Sequence, residues 1–380
     1  MPRIYLDHNA TTPVRPEAVE AMQRVLTLHF GNPSSAHWAG SEARDELESA
    51  RGQVSSLLGV APDTVVFTSG ATESNNTVLR SAAARFPRHG DRIVTCATEH
   101  PAVLDAADDL RERGIGVQLL PVDRDGRLDP ARFSDALDDS VLLASIMWVN
   151  NETGVIQPVP KLAAIAAERG VPFHSDAVQA LGKLPLSLAA LPLDFASFSA
   201  HKLGGPKGVG VLYAREGQRF QPLVRGGPQE RRRRPGTENV PGIVGFGAAC
   251  AAAEADLDER SGRLGALRDR LWQAIESKVP DAWQNGSVEH RVPHTLNVSF
   301  PGADSEALVE ALDLEGIAVA SGAACASGST EPSHVLLAMG IPPERSTCAI
   351  RMSLGVTTRG DEIDHFMSVL PGVVERVRGA

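Results

Sequence analysis

Residues 194–213 read DFASFSAHKLGGPKGVGVLY. Two short apolar runs, DFASF and GVGVLY, flank a segment too rich in Gly and Pro to be helix or strand. Runs of that length and composition fit strands buried on both faces. The first run breaks into a hydroxyl, an imidazole and an amine, Ser199, His201 and Lys202, placed where a strand ends.

The same rhythm extends outward in both directions. TVVFTS is followed by a helical pattern over 72–86, DRIVTC by one over 100–113, VQLLPV by one over 130–138, and VLLASIMWV by one over 159–169; VPFHS completes the set. Short β-branched runs alternating with longer amphipathic stretches predict βαβ units, hence an α/β chain with a mostly parallel sheet and helices on both faces. Ligands of such sheets sit beyond the carboxyl ends of the strands. Residues 238–278 predict one or two long Ala-rich helices, after which HTLNVSF, a helix near 304–313, IAVAS, CAIRMSL and a terminal helix predict a second, smaller α+β domain. The expected division is a large domain over 14–256 and a small one made of 1–13 and 257–380.

With 380 residues, 42% hydrophobic and 22% charged, the chain has the composition of a globular protein with a sizeable core. Its 37 basic and 47 acidic residues give a net charge of −10, which argues against general nucleic-acid binding, the run Arg231–Arg234 notwithstanding. Neither a leader-like start nor an apolar run long enough to span a bilayer is evident, so a cytoplasmic protein without membrane contact is expected. Cys96, Cys250, Cys325 and Cys348 show no C-x-x-C spacing, so neither a zinc site nor a disulfide framework is indicated.

The residues just past each strand are polar and chemically complementary: Ser69-Gly70-Ala71-Thr72, Glu99-His100, Asn150-Asn151-Glu152, Asp176 to Gln179, and Ser199 to Lys202. A small Gly-Ala-Thr turn opening a helix offers N–H groups to an anion, though it is equally an ordinary helix start. Asp176 after the VPF run is either a helix cap or a buried carboxylate that needs a cation such as a protonated pyridine nitrogen. A lysine at a dry strand end can have its amine tuned to react with a carbonyl. An anion cradle, a buried carboxylate and a lysine on neighbouring strand ends together suggest pyridoxal 5'-phosphate.

The chain resembles a known family through YLDHNATTP, GNPSSAHWAG, TSGATESNN, TEHPAV, NNETGVIQP, HSDAVQALGK, SFSAHKLGGPKGVG, RPGTENVPGIVG, SGAACASGSTEPSHVL and IRMSLG, in that order. These are similar to the motifs of cysteine desulfurases of the NifS/IscS type, among the fold-type I, class V aminotransferase-like enzymes. The resemblance implies a fold-type I PLP-dependent transferase whose large domain holds a seven-stranded sheet. It implies Lys202 as the lysine that carries the cofactor, Asp176 on the pyridine nitrogen, Gln179 on the ring hydroxyl, and His100 on the ring face as an acid/base group. Ala71, Thr72, Ser199 and His201 would hold the phosphate, with Thr237 supplied by the neighbouring subunit of a homodimer. Asn150 would assist at cofactor and substrate, and Arg351 would clamp the substrate carboxylate, a task suited to a guanidinium fork.

By the same resemblance Cys325 takes the sulfur of L-cysteine, leaving L-alanine and a persulfide that a sulfur acceptor or iron–sulfur scaffold protein collects; through that persulfide Cys325 could transiently ligate an iron–sulfur cluster. The other three cysteines lie in apolar surroundings and read as inert. Iron–sulfur assembly, tRNA thiolation and DNA phosphorothioation are all open as destinations of the sulfur. Selenocysteine lyase or cysteine sulfinate desulfinase activity is the rival within this chemistry, and EPSHVL directly after the Cys325 loop favours the desulfurase. A catalytically silent assembly component is the rival outside it, and the set Lys202, Asp176, His100, Cys325 and Arg351 speaks against it. The chain departs from the family's ERGxRSGT pattern at Arg232, in place of a small residue, and at Pro235, in place of serine.

Overall fold

The computed structural model describes residues 3–85, 90–321 and 331–379. A seven-stranded sheet runs in the spatial order Val65–Thr68, Gly210–Ala214, Phe195–Ser199, Phe173–Asp176, Val141–Ser145, Arg92–Cys96, Gly116–Leu120. Only Gly210–Ala214 runs against its neighbours. All seven strands coincide with the predicted runs, and five of them are buried at every position. Helices cover both faces, which is why these strands show no polar alternation.

The helices Ala71–Arg85, Pro101–Glu112, Pro130–Asp135 and Val159–Glu168 fall where the pattern placed them. Residues 238–278 divide into Val240–Ala255 and Leu257–Lys278, bent by 74°. The apolar Val240–Ala255 packs against two helices that sequence reading did not place, Pro16–Thr27 and Trp38–Leu58. Among the described residues no single helix is long and apolar enough to cross a membrane.

A second core gathers Ile4 and Leu6 with residues from Leu264 to Val374. It lies under a four-stranded sheet ordered Ala320–Ser321, Ala349–Ser353, Thr295–Ser299, Trp283–Gln284. The predicted strand IAVAS splits: Ile317–Ala318 pairs in parallel with Ile4–Tyr5, whereas Ala320–Ser321 pairs with Ile350 and Arg351. Chain from both ends thus enters this unit, and residues 7–12 lead out of it toward the carboxyl edge of the large sheet.

One loop is held against its own backbone preference. Glu230, Arg231 and Arg232 are all left-handed, with φ of 45°, 56° and 65°, a conformation that costs an L-residue roughly 1–2 kcal/mol. The Glu230 carboxylate is buried beneath it, paired in bidentate fashion with Arg51 at 2.7 and 3.0 Å and accepting from the Phe67 N–H at 2.9 Å. Arg51→Ala strands that carboxylate and is expected to destabilise the chain by about 3–5 kcal/mol. Arg232→Gly relieves an unfavourable φ and should leave the thermal midpoint unchanged or raise it, so in calorimetric melting only Arg51→Ala should lower the midpoint.

Candidate active site

Asp176 is the last residue of Phe173–Asp176 and is buried. One carboxylate oxygen accepts from the Asn75 side chain at 2.7 Å, the other from the Val178 N–H at 3.2 Å. Both donors are neutral amides, and the Asn75 carbonyl oxygen is itself buried without a partner. One strand over, Phe195–Ser199 ends in a short 3₁₀ turn, Ala200–Lys202. The Lys202 amine donates to the Asn9 and Ala10 carbonyls at 2.5 and 2.7 Å. Those carbonyls belong to the segment arriving from the smaller core.

Around these two lie the other strand-end residues. His100 caps the helix Pro101–Glu112, its Nδ1 accepting from the Ala102 N–H at 3.1 Å, so the neutral ring carries its proton on Nε2. Burial lowers its pKa, with Lys202 and His334 adding to the effect and Asp176 opposing it. Buried Gln179 donates to the Asn9 carbonyl at 3.1 Å and accepts from Lys183. His201 Nδ1 meets the Thr11 hydroxyl at 3.1 Å, and burial, aided by Lys202, Lys207 and Lys183, brings its pKa down to about 4. Ser199 is buried at its strand end, whereas Ala71 and Thr72 open the helix Ala71–Arg85 beside Gly70. A Cβ added to Gly70 would face open space, so the backbone at that helix start is accessible to an anion.

Arg351 is buried on Ala349–Ser353, and its Nη2 pairs with Asp7 at 2.6 Å while Nη1 donates to the Asn151 carbonyl at 3.1 Å. Its Nε is buried without a partner. Asn150 is engaged on both sides by its own turn: Oδ1 accepts from the Glu152 and Thr153 N–H groups, each at 2.9 Å, and its amide donates to the Thr98 carbonyl at 3.1 Å. Thr237 is exposed, on the loop whose Arg234 pairs with Glu73 of the helix Ala71–Arg85 at 3.0 Å. Cys325 lies outside the described residues. Cys96, Cys250 and Cys348 are buried free thiols; burial pushes Cys96 up to about 11 and Cys250 well above the thiol range, so neither is a thiolate near neutrality. Among the described residues no cluster of three His, Cys, Asp or Glu side chains is arranged to hold a metal ion.

Sequence reading left Asp7, Asn9, Asn75 and Lys183 unassigned. Asp7 and Asn9 stand in YLDHNATTP and Lys183 in QALGK, both inside motifs that carry the family resemblance. The side-chain partners of Asp7, Asn9 and Asn75 lie 101 or more positions away, so nothing local marked those three, whereas Lys183 meets Gln179 only four positions back.

A lysine and a buried carboxylate lie on adjacent strand ends of an α/β sheet, beside an open helix start, an arrangement whose chemistry suits an aromatic aldehyde phosphate. The chain belongs to the aminotransferase class-V family, whose profile matches residues 4–366. It is 50% identical to a cysteine desulfurase from Cereibacter sphaeroides over 100% of this chain and 97% of that one. It is 43% identical to the cysteine desulfurase IscS of Dictyoglomus turgidum over 99% and 95% of the two chains. A solved NifS-like protein superposes with a TM-score of 0.93 at 39% identity, covering 99% of this chain and 100% of that one. Enzymes of this kind depend on pyridoxal 5'-phosphate. The residues fit that group: a buried carboxylate satisfied only by neutral amides suits a protonated ring nitrogen, and the bare Gly70 backbone suits a phosphate.

Several imidazoles are buried neutral. His174 bridges Ser145 and Ser197 at 2.8 and 3.0 Å, and burial brings its pKa from 6.5 to about 3; His8 falls likewise to about 4. A lowered folded pKa means that the unfolded chain binds more protons in this range. The stabilisation is therefore complete above pH 6.5 and is lost as pH falls toward 4 and then 3. The urea midpoint should decline across that window, and His174→Gln, which can still bridge the two serines, should make the decline shallower. An unchanged slope in the variant would exclude His174 as a contributor.

Proposed function

We propose how this chain carries out pyridoxal-phosphate-dependent desulfuration of cysteine, with Lys202 and Asp176 at the cofactor and Cys325 as sulfur acceptor. The observation that carries the reading is the pairing of adjacent strand ends: a reactive amine on one, an otherwise un-neutralised carboxylate on the next. When bound, the cofactor supplies an electron sink that makes the substrate's α-proton removable.

The chain's own residues do the rest. Asp176 keeps the ring nitrogen protonated, Gln179 orients the ring hydroxyl, and the start of the helix at Ala71 and Thr72 holds the phosphate with Ser199 and His201. Arg351 receives the substrate carboxylate on its guanidinium, whose buried Nε is left without a partner, while Asp7 and the Asn151 carbonyl fix the plane of the group. Asn150, held by its turn, orders the backbone on which that carboxylate rests. Lys202 moves the α-proton, and His100, neutral with its proton on Nε2, serves as the second acid/base group. The Cys325 thiolate then attacks the substrate sulfur: a sulfur–sulfur bond forms, the carbon–sulfur bond breaks, and its electron pair remains with the carbon skeleton. Two protons complete L-alanine, so L-cysteine and one enzyme thiol become L-alanine and one enzyme persulfide.

The persulfide passes to a separate sulfur acceptor, an iron–sulfur scaffold being the reading that the IscS likeness supports. The enzyme acts as a homodimer in the cytoplasm. Leu26, Leu28, Phe30 and Trp38 expose 61–70% of their surface around one connection, an apolar area suited to a second copy. Thr237 is free to reach the partner's phosphate site. Sedimentation should give a two-chain particle, weakened by Trp38→Glu; a monomer at micromolar concentration would refute this.

With L-cysteine, the holoenzyme should release alanine and gain one sulfur atom on the peptide containing Cys325. Cys325→Ala should keep the cofactor's visible absorption while alanine formation drops by at least about 100-fold. Lys202→Ala should lose the absorption of the lysine-bound cofactor. Undiminished alanine release by Cys325→Ala would remove that residue from its role.

A further inference from the structure

A cavity of about 120 Å³ borders Lys202. Its walls come from the N-terminal segment, the Gly182-Lys183 turn, the start of Leu257–Lys278 and residues 354–357. Lys202 lines it, but Asp176, His100, Asn150 and Arg351 do not. Lys202 apart, these groups assigned to cofactor and substrate stand outside it.

Every ionisable side chain on these walls is a base: His8, Arg15, Lys183, Lys202, Arg260 and His294. The nearest carboxylate, Asp256, stands outside the lining and is shared between the Arg15 and Arg260 guanidiniums. Lys183 is buried, donates to an amide oxygen, and feels the positive Lys202, Arg351 and Arg260; burial first, then these charges, pushes its pKa well below the lysine range. His8 is only 3% exposed, and neither ring nitrogen has a hydrogen-bond partner. It is fixed edge-on to Tyr5, and an added Cβ on Gly355 would come within 2.1 Å of its Nδ1. The Arg15 Nε is likewise buried and unpartnered. Unmet buried donors are costly and are normally satisfied; the neutral His8 ring has one such N–H and Arg15 another, and an anionic acceptor would answer these together with the positive charge that bears on Lys183.

The remainder of the wall is apolar, with Leu257, Leu264 and Val356 among its members. A dry cavity of roughly 150 Å³ accommodates benzene, so this one takes an occupant of about four to six heavy atoms. An amino acid is the wrong guest, because its ammonium group would lie in the positive field of Lys202, Arg351 and Arg260 that already bears on Lys183. We propose that the cavity is a second binding site, for a short aliphatic monocarboxylate lacking an amino group. The carboxylate faces Lys183 and His8, and the alkyl end lies against the leucines. Because Lys202 borders both spaces, occupancy slows turnover without excluding L-cysteine.

The test is a calorimetric titration of the holoenzyme with sodium isobutyrate, alongside steady-state inhibition of alanine formation. One saturable site per chain is expected, with Kd on the order of 1 mM for so small a ligand and inhibition noncompetitive toward L-cysteine. Lys183→Met should weaken binding at least about tenfold, and Val356→Trp, which fills the cavity from its rim without touching a charge, should do the same. Glycine at equal concentration should give no heat at this site in enzyme whose substrate site is filled by L-alanine. The proposal is overturned by absence of saturable binding. It is equally overturned by binding that both variants leave intact, or by inhibition that is competitive with L-cysteine and lost in Arg351→Lys.

Discussion

Six residues, Asp7 to Thr12, join the two cores and fix the reactive amine at the same time. Asn9 alone uses all of its polar atoms: its N–H meets the Ser353 hydroxyl, its amide donates to Thr295 and to the Asn151 carbonyl, its side-chain oxygen meets His294, and its own carbonyl accepts from Gln179 and Lys202. Thr12 binds the His201 carbonyl through both N–H and hydroxyl. The position of Lys202 is thus set by chain from the opposite unit, and any motion of one core against the other is transmitted to the amine. A site built on a rigid sheet edge alone would lack this dependence.

Charge at the same edge is arranged by burial more than by pairing. Glu99 is buried two strands from Asp176, with one oxygen accepting from the Met147 N–H at 2.5 Å and the other unpartnered. Burial above all, with the Asp176 charge adding to it, pushes its carboxyl well above the ordinary range. Two ionised carboxylates so placed would repel, which together with burial favours the protonated form of Glu99. Glu152 is also raised by burial, opposed by its 2.5 Å bond from Ser333 and by the charges of His334 and Arg351. Among the described carboxyls of this edge, burial raises Glu99 and Glu152, whereas Asp176 takes its hydrogen bonds from neutral amides.

The large sheet was legible because parallel strands buried on both faces leave continuous apolar runs, and the site was legible where one strand end carried one chemically distinctive residue, as with Asp176 and Lys202. The helices Pro16–Thr27 and Trp38–Leu58 were not read. The second contains two glycines and keeps Arg51 inward, and the apolar side of the first is partly exposed, at Val19 and Leu26. The division of IAVAS between two sheets was equally hidden, since strand pairing depends on which neighbour arrives and alternation within five residues cannot specify it. Arg351 stood out by motif, yet its counter-ion Asp7 lies 344 positions away, and sequence pattern carries no signal for a pair so distant.

The four-arginine run shows why a charge run is a poor guide to role. Read in sequence, Arg231–Arg234 is one basic patch; folded, its members separate. Arg233 reaches the Asp63 and Val65 carbonyls, Arg234 binds Glu73 in the first turn of the helix Ala71–Arg85, and Arg231 and Arg232 remain exposed on the turn. Three successive left-handed residues make that separation, since a right-handed continuation would carry Arg234 away from Glu73. Their strain persists because the buried Arg51–Glu230 pair beneath holds the turn, and breaking a buried pair costs about as much as the strain it restrains. Arg234 in turn fixes Glu73, whose carboxylate accepts from the Ser69 N–H at 2.7 Å and so sets the turn at Gly70. A packing constraint under one loop therefore shapes the anion-facing backbone of another.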